Sequence, residues 1–147
     1  MKYLKYIIFI FLFLVFPSVS NAATKYWVGG GATANWSEAT GGVTNWGTAS
    51  NTRDNAGVPD ATDDVFFDNS ANGNSPSTIS ANITIKSLDM ATGSYANTLT
   101  HNAAVTLTIA GGTGSVFKLA SGMIYTLGNG ITSALSFTGT TATTTIT

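Results

Sequence analysis

Four carboxylates lie close together in the first half of the sequence, at Asp60, Asp63, Asp64 and Asp68. Hard cations such as calcium prefer oxygen clusters of this kind. The spacing does not match an EF-hand loop, which has acids at alternate positions, a central glycine and a later glutamate. Because Asp64 and Asp68 flank the apolar segment Val65-Phe66-Phe67, we predict that the acids cap a turn and border a strand, and we assign no metal or cofactor to them.

The sole histidine, His101, is the other side chain suited to acid–base chemistry. A nucleophilic enzyme would need a serine or cysteine activated by such a base. The sequence contains no cysteine, no Gly-x-Ser-x-Gly elbow and no acid near His101 that would mark a triad. We therefore predict that His101 is a loop residue at a strand end, that the chain has no catalytic residues and that it is not an enzyme.

Three tryptophans lie in the first third of the sequence, at Trp27, Trp36 and Trp46, each beside glycine or asparagine or close to one. Exposed indole faces stack on sugar rings, so these residues could form a carbohydrate contact. Buried indoles would instead hold together a loop-rich cap over the end of a β core. The glycine and asparagine neighbours favour tight packing and the buried role, and the carbohydrate contact stays as the alternative.

The elements that must position these residues are strands. From about Thr78 onward, apolar residues alternate with threonine and serine in short runs, and the runs recur roughly every 10 residues. Glycine and asparagine clusters, such as Asn129-Gly130, separate them. The residues predicted to point inward are Ile83, Ile85, Leu88, Leu107, Ile109, Leu119, Leu127, Leu135 and Phe137.

This spacing fits two all-β architectures, a right-handed parallel β-helix and an antiparallel β-sandwich. Asn129-Gly130 is a hairpin signal and favours the sandwich. The similarity of the short runs, and a final segment at 140–147 that itself reads as a strand, favour the β-helix. We predict a β-helix with an N-terminal aromatic cap and keep the sandwich as the alternative.

The first 22 residues read as a secretory signal peptide. Lys2 and Lys5 precede an apolar run over residues 7–16, and Ser20 and Ala22 supply the small side chains that signal peptidase requires. The run is shorter than the roughly 18 residues of a membrane-spanning helix. We therefore predict cleavage after Ala22 and no stable membrane insertion afterwards. The predicted organisation is a signal peptide at 1–22, a cap at 23–76 rich in tryptophan, glycine and asparagine, and open-ended β coils at 77–147.

The charge of the chain argues against two classes of partner. The formal net charge is −1, and removal of Lys2 and Lys5 with the signal makes it −3. Phosphate binding needs clustered cations, and a membrane surface needs a basic patch. The four remaining cations are scattered along the sequence, at Lys25, Arg53, Lys86 and Lys118. We therefore predict that the protein binds neither nucleic acid nor, through a basic patch, a membrane surface.

The order of motifs in the first 90 residues resembles the N-terminal segment of large bacterial exported surface proteins of the autotransporter and adhesin type. The residues that carry this resemblance are Tyr26-Trp27-Val28-Gly29-Gly30, Asn35-Trp36-Ser37, Asn45-Trp46, Val58-Pro59, Asp63-Asp64-Val65-Phe66-Phe67-Asp68 and Ile85-Lys86-Ser87-Leu88-Asp89-Met90. In such proteins the segment begins a right-handed β-helix.

The resemblance implies a secreted or cell-surface protein that passes through the periplasm. It also implies a structural or adhesive role, with host or environmental glycans or surface proteins as partners. The function expected from the sequence is therefore a non-enzymatic, exported surface scaffold or adhesin segment. The alternative is a small carbohydrate-binding β-sandwich module.

Overall fold

The structure is a computed structural model that describes residues 22–112, 115–128, 133–139 and 143–146. Residues 1–21 of the predicted signal peptide lie outside this part of the chain. Within it, no helix is both long enough and apolar enough to cross a membrane.

The described residues form an all-β fold, which confirms the predicted class. A single 3₁₀ turn at Thr40–Gly42 interrupts the strands. Twelve strands lie in the described segments: β1 (Thr24–Trp27), β2 (Trp46–Gly47), β3 (Asp64–Asp68), β4 (Ser77–Ile79), β5 (Ile83–Ile85), β6 (Ser87–Gly93), β7 (Thr98–His101), β8 (Thr106–Ile109), β9 (Ser115–Leu119), β10 (Ile124–Leu127), β11 (Ala134–Phe137) and β12 (Thr143–Ile146).

The strands make three sheets with the orders β12-β9-β6-β3-β1-β2, β10-β7-β4 and β11-β8-β5. Each strand from β3 to β9 pairs in parallel with the strand three places further along the chain. Strand β1 differs, because it pairs in parallel with β3 and antiparallel with β2, which lies at the edge of the first sheet. The boundary predicted at residues 76 and 77 falls between β3 and β4, although β3 shares its sheet with later strands.

The core follows from alternation along these short strands. Strands β7 and β8 both read threonine, leucine, threonine, and their leucines are buried while the threonines are partly exposed. Of the residues predicted to point inward, Ile85, Leu88, Leu107 and Ile109 are fully buried, which confirms that prediction. Three more pack partly buried against the core: Ile83, Leu119 and Leu135.

The prediction is wrong for Leu127 and Phe137, which are 53% and 39% exposed. Their register is the inward one, because Leu127 pairs with buried His101 and Phe137 with buried Ile109. However, β10 and β11 are the last strands of their sheets within the described chain. No further described strand covers these two side chains, so they remain accessible to water.

The hairpin signal Asn129-Gly130 lies outside the described residues. The strands on either side of it, β10 and β11, belong to different sheets and do not pair with each other.

Glycines allow close backbone approach at one corner of the fold, where β5, β8 and β11 end. The Gly111 N–H donates to the Lys86 carbonyl at 2.8 Å. A Cβ atom at Gly111 would lie 2.4 Å from that same carbonyl oxygen, and one at Gly139 would lie 1.9 Å from the Gly111 oxygen. The turns at this corner therefore stack with almost no space between their backbones.

This corner supplies a test of the stacked arrangement, with a neighbouring glycine as the control. We expect Gly111→Ala to destabilise the protein by about 1–3 kcal/mol, the usual cost of overpacking a tight contact. Gly112→Ala adds a Cβ that meets no atom of the described residues within 4 Å, so we expect a change within about 0.5 kcal/mol. Urea unfolding followed by tryptophan fluorescence measures both. Equal stabilities for the two variants would contradict the close stacking.

Candidate functional site in the aromatic head

Five aromatic rings from the first two thirds of the chain form one cluster, and we call Trp27, Trp36, Trp46, Phe67 and Tyr95 the aromatic cluster. Phe67 lies in its middle, with its ring centroid 5.6 Å from those of Trp27 and Trp36, 6.0 Å from Trp46 and 5.0 Å from Tyr95. The indole pairs within the cluster meet edge to face at 5.2–5.3 Å. Such geometries add attraction beyond the burial of apolar area.

Short stretches of strand pairing hold these rings close to one another. Trp27 ends β1 and faces Trp46 of β2 across the antiparallel pair, while Phe67 lies on the inward side of β3. An isolated parallel bridge between Asn35 and Thr78 holds Trp36, the third indole, next to the other two. There the Trp36 N–H donates to the Thr78 carbonyl at 2.9 Å. We call the predicted cap at 23–76 the aromatic head. The cluster therefore joins the aromatic head to β4 of the second sheet.

The three indole N–H groups differ in their partners. The Trp46 Nε1–H donates to the Trp36 carbonyl at 2.8 Å, and the Trp27 Nε1–H donates to the Ser75 hydroxyl at 2.9 Å. The buried Trp36 Nε1 has no partner among the described residues. Tyr95 donates its hydroxyl hydrogen toward the Ser75 carbonyl at 2.8 Å, and burial raises the pKa of this phenol to about 12.

The burial of these rings favours the packing role of the tryptophans over the alternative of a carbohydrate contact. Trp27, Trp36 and Trp46 are 1%, 1% and 0% exposed. A sugar platform needs an open ring face, and at these exposures none of the three indoles presents one. Their observed contacts are those of a cap core.

Asn45 organises the loop over the aromatic cluster, a role that the sequence did not predict for it. Its buried amide accepts the Gly31 N–H at 2.8 Å and donates to the carbonyls of Thr33 and Asn35, both at 2.8 Å. Glu38 lies on the same loop. The hydroxyl of Thr33, together with hydrogen bonds from Thr40, holds the pKa of Glu38 at about 2, below its ordinary 4.5.

The four predicted carboxylates take separate structural roles. Asp60 accepts the N–H and the hydroxyl hydrogen of Thr62 at 2.8 and 2.7 Å, and the Thr62 N–H holds the pKa of Asp60 below its ordinary value. Asp63 accepts the Asp60 N–H at 3.1 Å. These contacts are the turn cap that the sequence predicts.

The other two acids border the strand β3, as expected. Asp64 forms an ion pair with Lys86 at 2.6 Å and accepts the Ser87 hydroxyl hydrogen at 2.6 Å. Asp68 accepts the Ser70 N–H at 2.9 Å. In the described part of the chain, no group of three or more His, Cys, Asp or Glu side chains is arranged to hold a metal ion.

His101 lies in the core, and its predicted place in a loop is wrong. It is the last residue of β7 and is fully buried. Its Nε2 lies 2.9 Å from the Val105 carbonyl, which can only accept, so Nε2 carries the hydrogen and Nδ1 accepts from the Tyr125 hydroxyl at 3.0 Å. Burial lowers the pKa of His101. The neutral ring therefore links β7 to β10, and both partners come from outside its own strand.

A shallow groove of about 350 Å³ opens beside the head. Val58, Pro59 and Ile83 give it an apolar wall, and Asp60 and Asn82 lie on its margin. The Asp60 and Asn82 side chains already accept backbone N–H groups, from Thr62 and Thr106 respectively.

Comparison with known proteins adds no relative to this picture. The chain matches no protein-family model, and neither the curated proteins nor the solved structures contain a significant match to it.

The hydrogen bond from the Trp46 indole to the Trp36 carbonyl can be tested with a matched pair of variants. Trp46→Phe and Trp36→Phe both shrink a buried ring of the cluster, but only Trp46→Phe leaves a bonded carbonyl, that of Trp36, without its donor. We expect Trp46→Phe to be less stable than Trp36→Phe by about 1–3 kcal/mol, the cost of an unsatisfied buried polar group. Urea unfolding followed by circular dichroism measures this difference. A larger loss for Trp36→Phe would show that the indole bond does not hold the cap.

Proposed function

We propose that this chain is a non-enzymatic, exported surface scaffold or adhesin segment, built as a right-handed parallel β-helix with the aromatic head as its N-terminal cap. The observation that carries the proposal is the pairing of each strand from β3 to β9 with the third strand after it. Three strands per coil, stacked in parallel, give this pattern. The right-handed sense follows from the general preference of parallel crossover connections.

The sandwich alternative fits this pairing less well. Sandwiches are built from antiparallel sheets, in which neighbouring strands are often consecutive in the chain. Here the consecutive strands β3, β4 and β5 lie in three different sheets, and the pairs that follow them are parallel. This arrangement supports the β-helix.

The ionisable side chains support a structural role. Each of the seven acids of the sequence accepts a hydrogen bond from a nearby N–H, hydroxyl or lysine. These acids are Glu38, Asp54, Asp60, Asp63, Asp64, Asp68 and Asp89. Their carboxylates thus cap turns and join neighbouring strands, which are the tasks of a scaffold.

The outward faces offer a neutral surface for adhesion. Parallel register aligns Thr78, Thr100 and Thr126 in one column on the second sheet, which we call the threonine column. Paired strands are about 4.8 Å apart, so hydroxyl groups recur at that interval. Hydroxyls both donate and accept hydrogen bonds, as the hydroxyls of sugars do. We therefore take a neutral glycan surface as the partner of the adhesin.

The test uses the full chain with an epitope tag, expressed in a bacterial host. We expect the tag in the medium or accessible to protease on intact cells, and we expect retention of the exported protein on insoluble cellulose, chitin or mucin-coated beads. Changing the whole threonine column to valine should abolish retention without a change in melting temperature, because valine keeps the shape and the strand preference of threonine.

The matched control lies on the third sheet, where Thr84, Thr108 and Ser136 form an equivalent column. The changes Thr84→Val, Thr108→Val and Ser136→Ala should leave retention intact. Protein that stays inside the cell would overturn the proposed surface role. Exported protein that none of the three glycan materials retains would overturn the adhesin role.

A further inference from the structure

Asp63 is a buried carboxylate that forms no ion pair with a side chain of the described residues. It is 4% exposed, and within this part of the chain its two oxygens accept backbone N–H groups, from Ala23 at 3.2 Å and from Asp60 at 3.1 Å. The ion pairs formed within the described chain join other residues. The backbone N–H of Lys86 donates to the Asp63 carbonyl, but the ammonium group of this lysine pairs with Asp64. Burying a carboxylate is costly unless an opposite charge accompanies it.

The nitrogen at Ala23 is the atom that signal cleavage would change. In the unprocessed chain it is an amide with one hydrogen. Hydrolysis after Ala22 breaks the bond between the Ala22 carbonyl carbon and this nitrogen. Water supplies the oxygen of the new Ala22 carboxylate, and Ala23 keeps an amine that takes up a proton. With an ordinary pKa of about 7.7–8.0, the amine is largely an ammonium at neutral pH.

The surrounding backbone fixes the position of this nitrogen. The Asp64 N–H donates to the Ala23 carbonyl at 2.8 Å, and Thr24 pairs with Asp64 at the start of β1 and β3. Asp63 is held from the other side, because its carbonyl accepts the Lys86 N–H at 2.9 Å. The Ala23 nitrogen and the Asp63 carboxylate therefore lie within reach of each other through main-chain pairing alone.

We infer that signal cleavage completes the fold: the new α-ammonium of Ala23 forms an ion pair with the buried carboxylate of Asp63. This inference rests on the cleavage site that belongs to the proposed export. The precursor holds only a neutral amide at this point, so it is less stable than the processed chain. Cleavage by signal peptidase thus couples processing to stability, and a chain still attached to its signal stays easier to unfold.

The experiment compares chains with two different starts, released from an N-terminal fusion partner by a protease that leaves no extra residue. One begins at Ala23 and the other at Asn21, which moves the ammonium about 7 Å along the chain. Each is made with Asp63 and with Asp63→Asn. We expect the Ala23 start to melt about 5 °C higher than the Asn21 start, an unfolding constant roughly tenfold smaller, and we expect Asp63→Asn to remove that difference.

Equal melting temperatures for the two starts with Asp63 present would overturn the inference, as would a difference that persists in Asp63→Asn. A second measurement covers the case in which Asp63→Asn fails to fold. The pKa of the Ala23 amine, read by NMR after ¹³C-methylation, should lie above about 8.0 in the wild type. An ordinary value would show that no ion pair forms.

These readouts do not depend on adhesion, because both starts are made directly and no glycan is present. Amino-terminal sequencing of the exported protein separately tests the cleavage site. If the sequence begins elsewhere than at Ala23, the ion pair does not form in the natural protein, whatever the melting experiment shows. Loss of glycan retention would leave the inference standing.

Discussion

Parallel pairing between each strand and the third strand after it requires that stacked positions suit one another. Isoleucine lies over isoleucine at Ile85 and Ile109, and outward threonines lie over threonines in the threonine column. Charges follow the same rule with opposite signs, since Asp89 of β6 pairs with Lys118 of β9 at 2.7 Å. A side chain that breaks the match meets a neighbour only about 4.8 Å away, so the stack restricts the sequence at every inward position.

A stack of this kind must also be closed at its ends, because edge strands expose unpaired backbone and the apolar interior. At the N-terminal end the aromatic cluster packs against the first paired strands. Phe67 of β3 belongs both to the parallel-paired sheet and to the cluster, so it links the packing of the head to that of the strands that follow. The exposed Leu127 and Phe137 show what happens to inward positions that no further described strand covers. The same apolar residue types are therefore buried or exposed to water according to whether a neighbouring strand covers them.

The sequence predicts the parts of this structure that depend on local pattern. Alternation in β8 identifies Leu107 and Ile109 as buried residues, because the direction of each side chain along a strand depends only on its position in the alternation. The sequence does not reveal Asn45, the central place of Phe67 or the burial of His101. Their partners come from other strands or from distant loops, and nothing in the adjacent residues reports those contacts. The contact between Ala23 and Asp63 spans 40 residues and is hidden for the same reason.

The central claim is the three-strand period, and paired cysteines test it most directly because the sequence has none of its own. Thr78 and Thr100 are register partners on adjacent strands, at a spacing that suits a disulfide, whereas Thr84 lies on a different sheet from Thr78. The account predicts that the variant with Thr78→Cys and Thr100→Cys forms an intramolecular disulfide on mild oxidation of the folded protein, and that the variant with Thr78→Cys and Thr84→Cys does not. Cross-linking of the second pair but not the first, read by mass spectrometry, would contradict it.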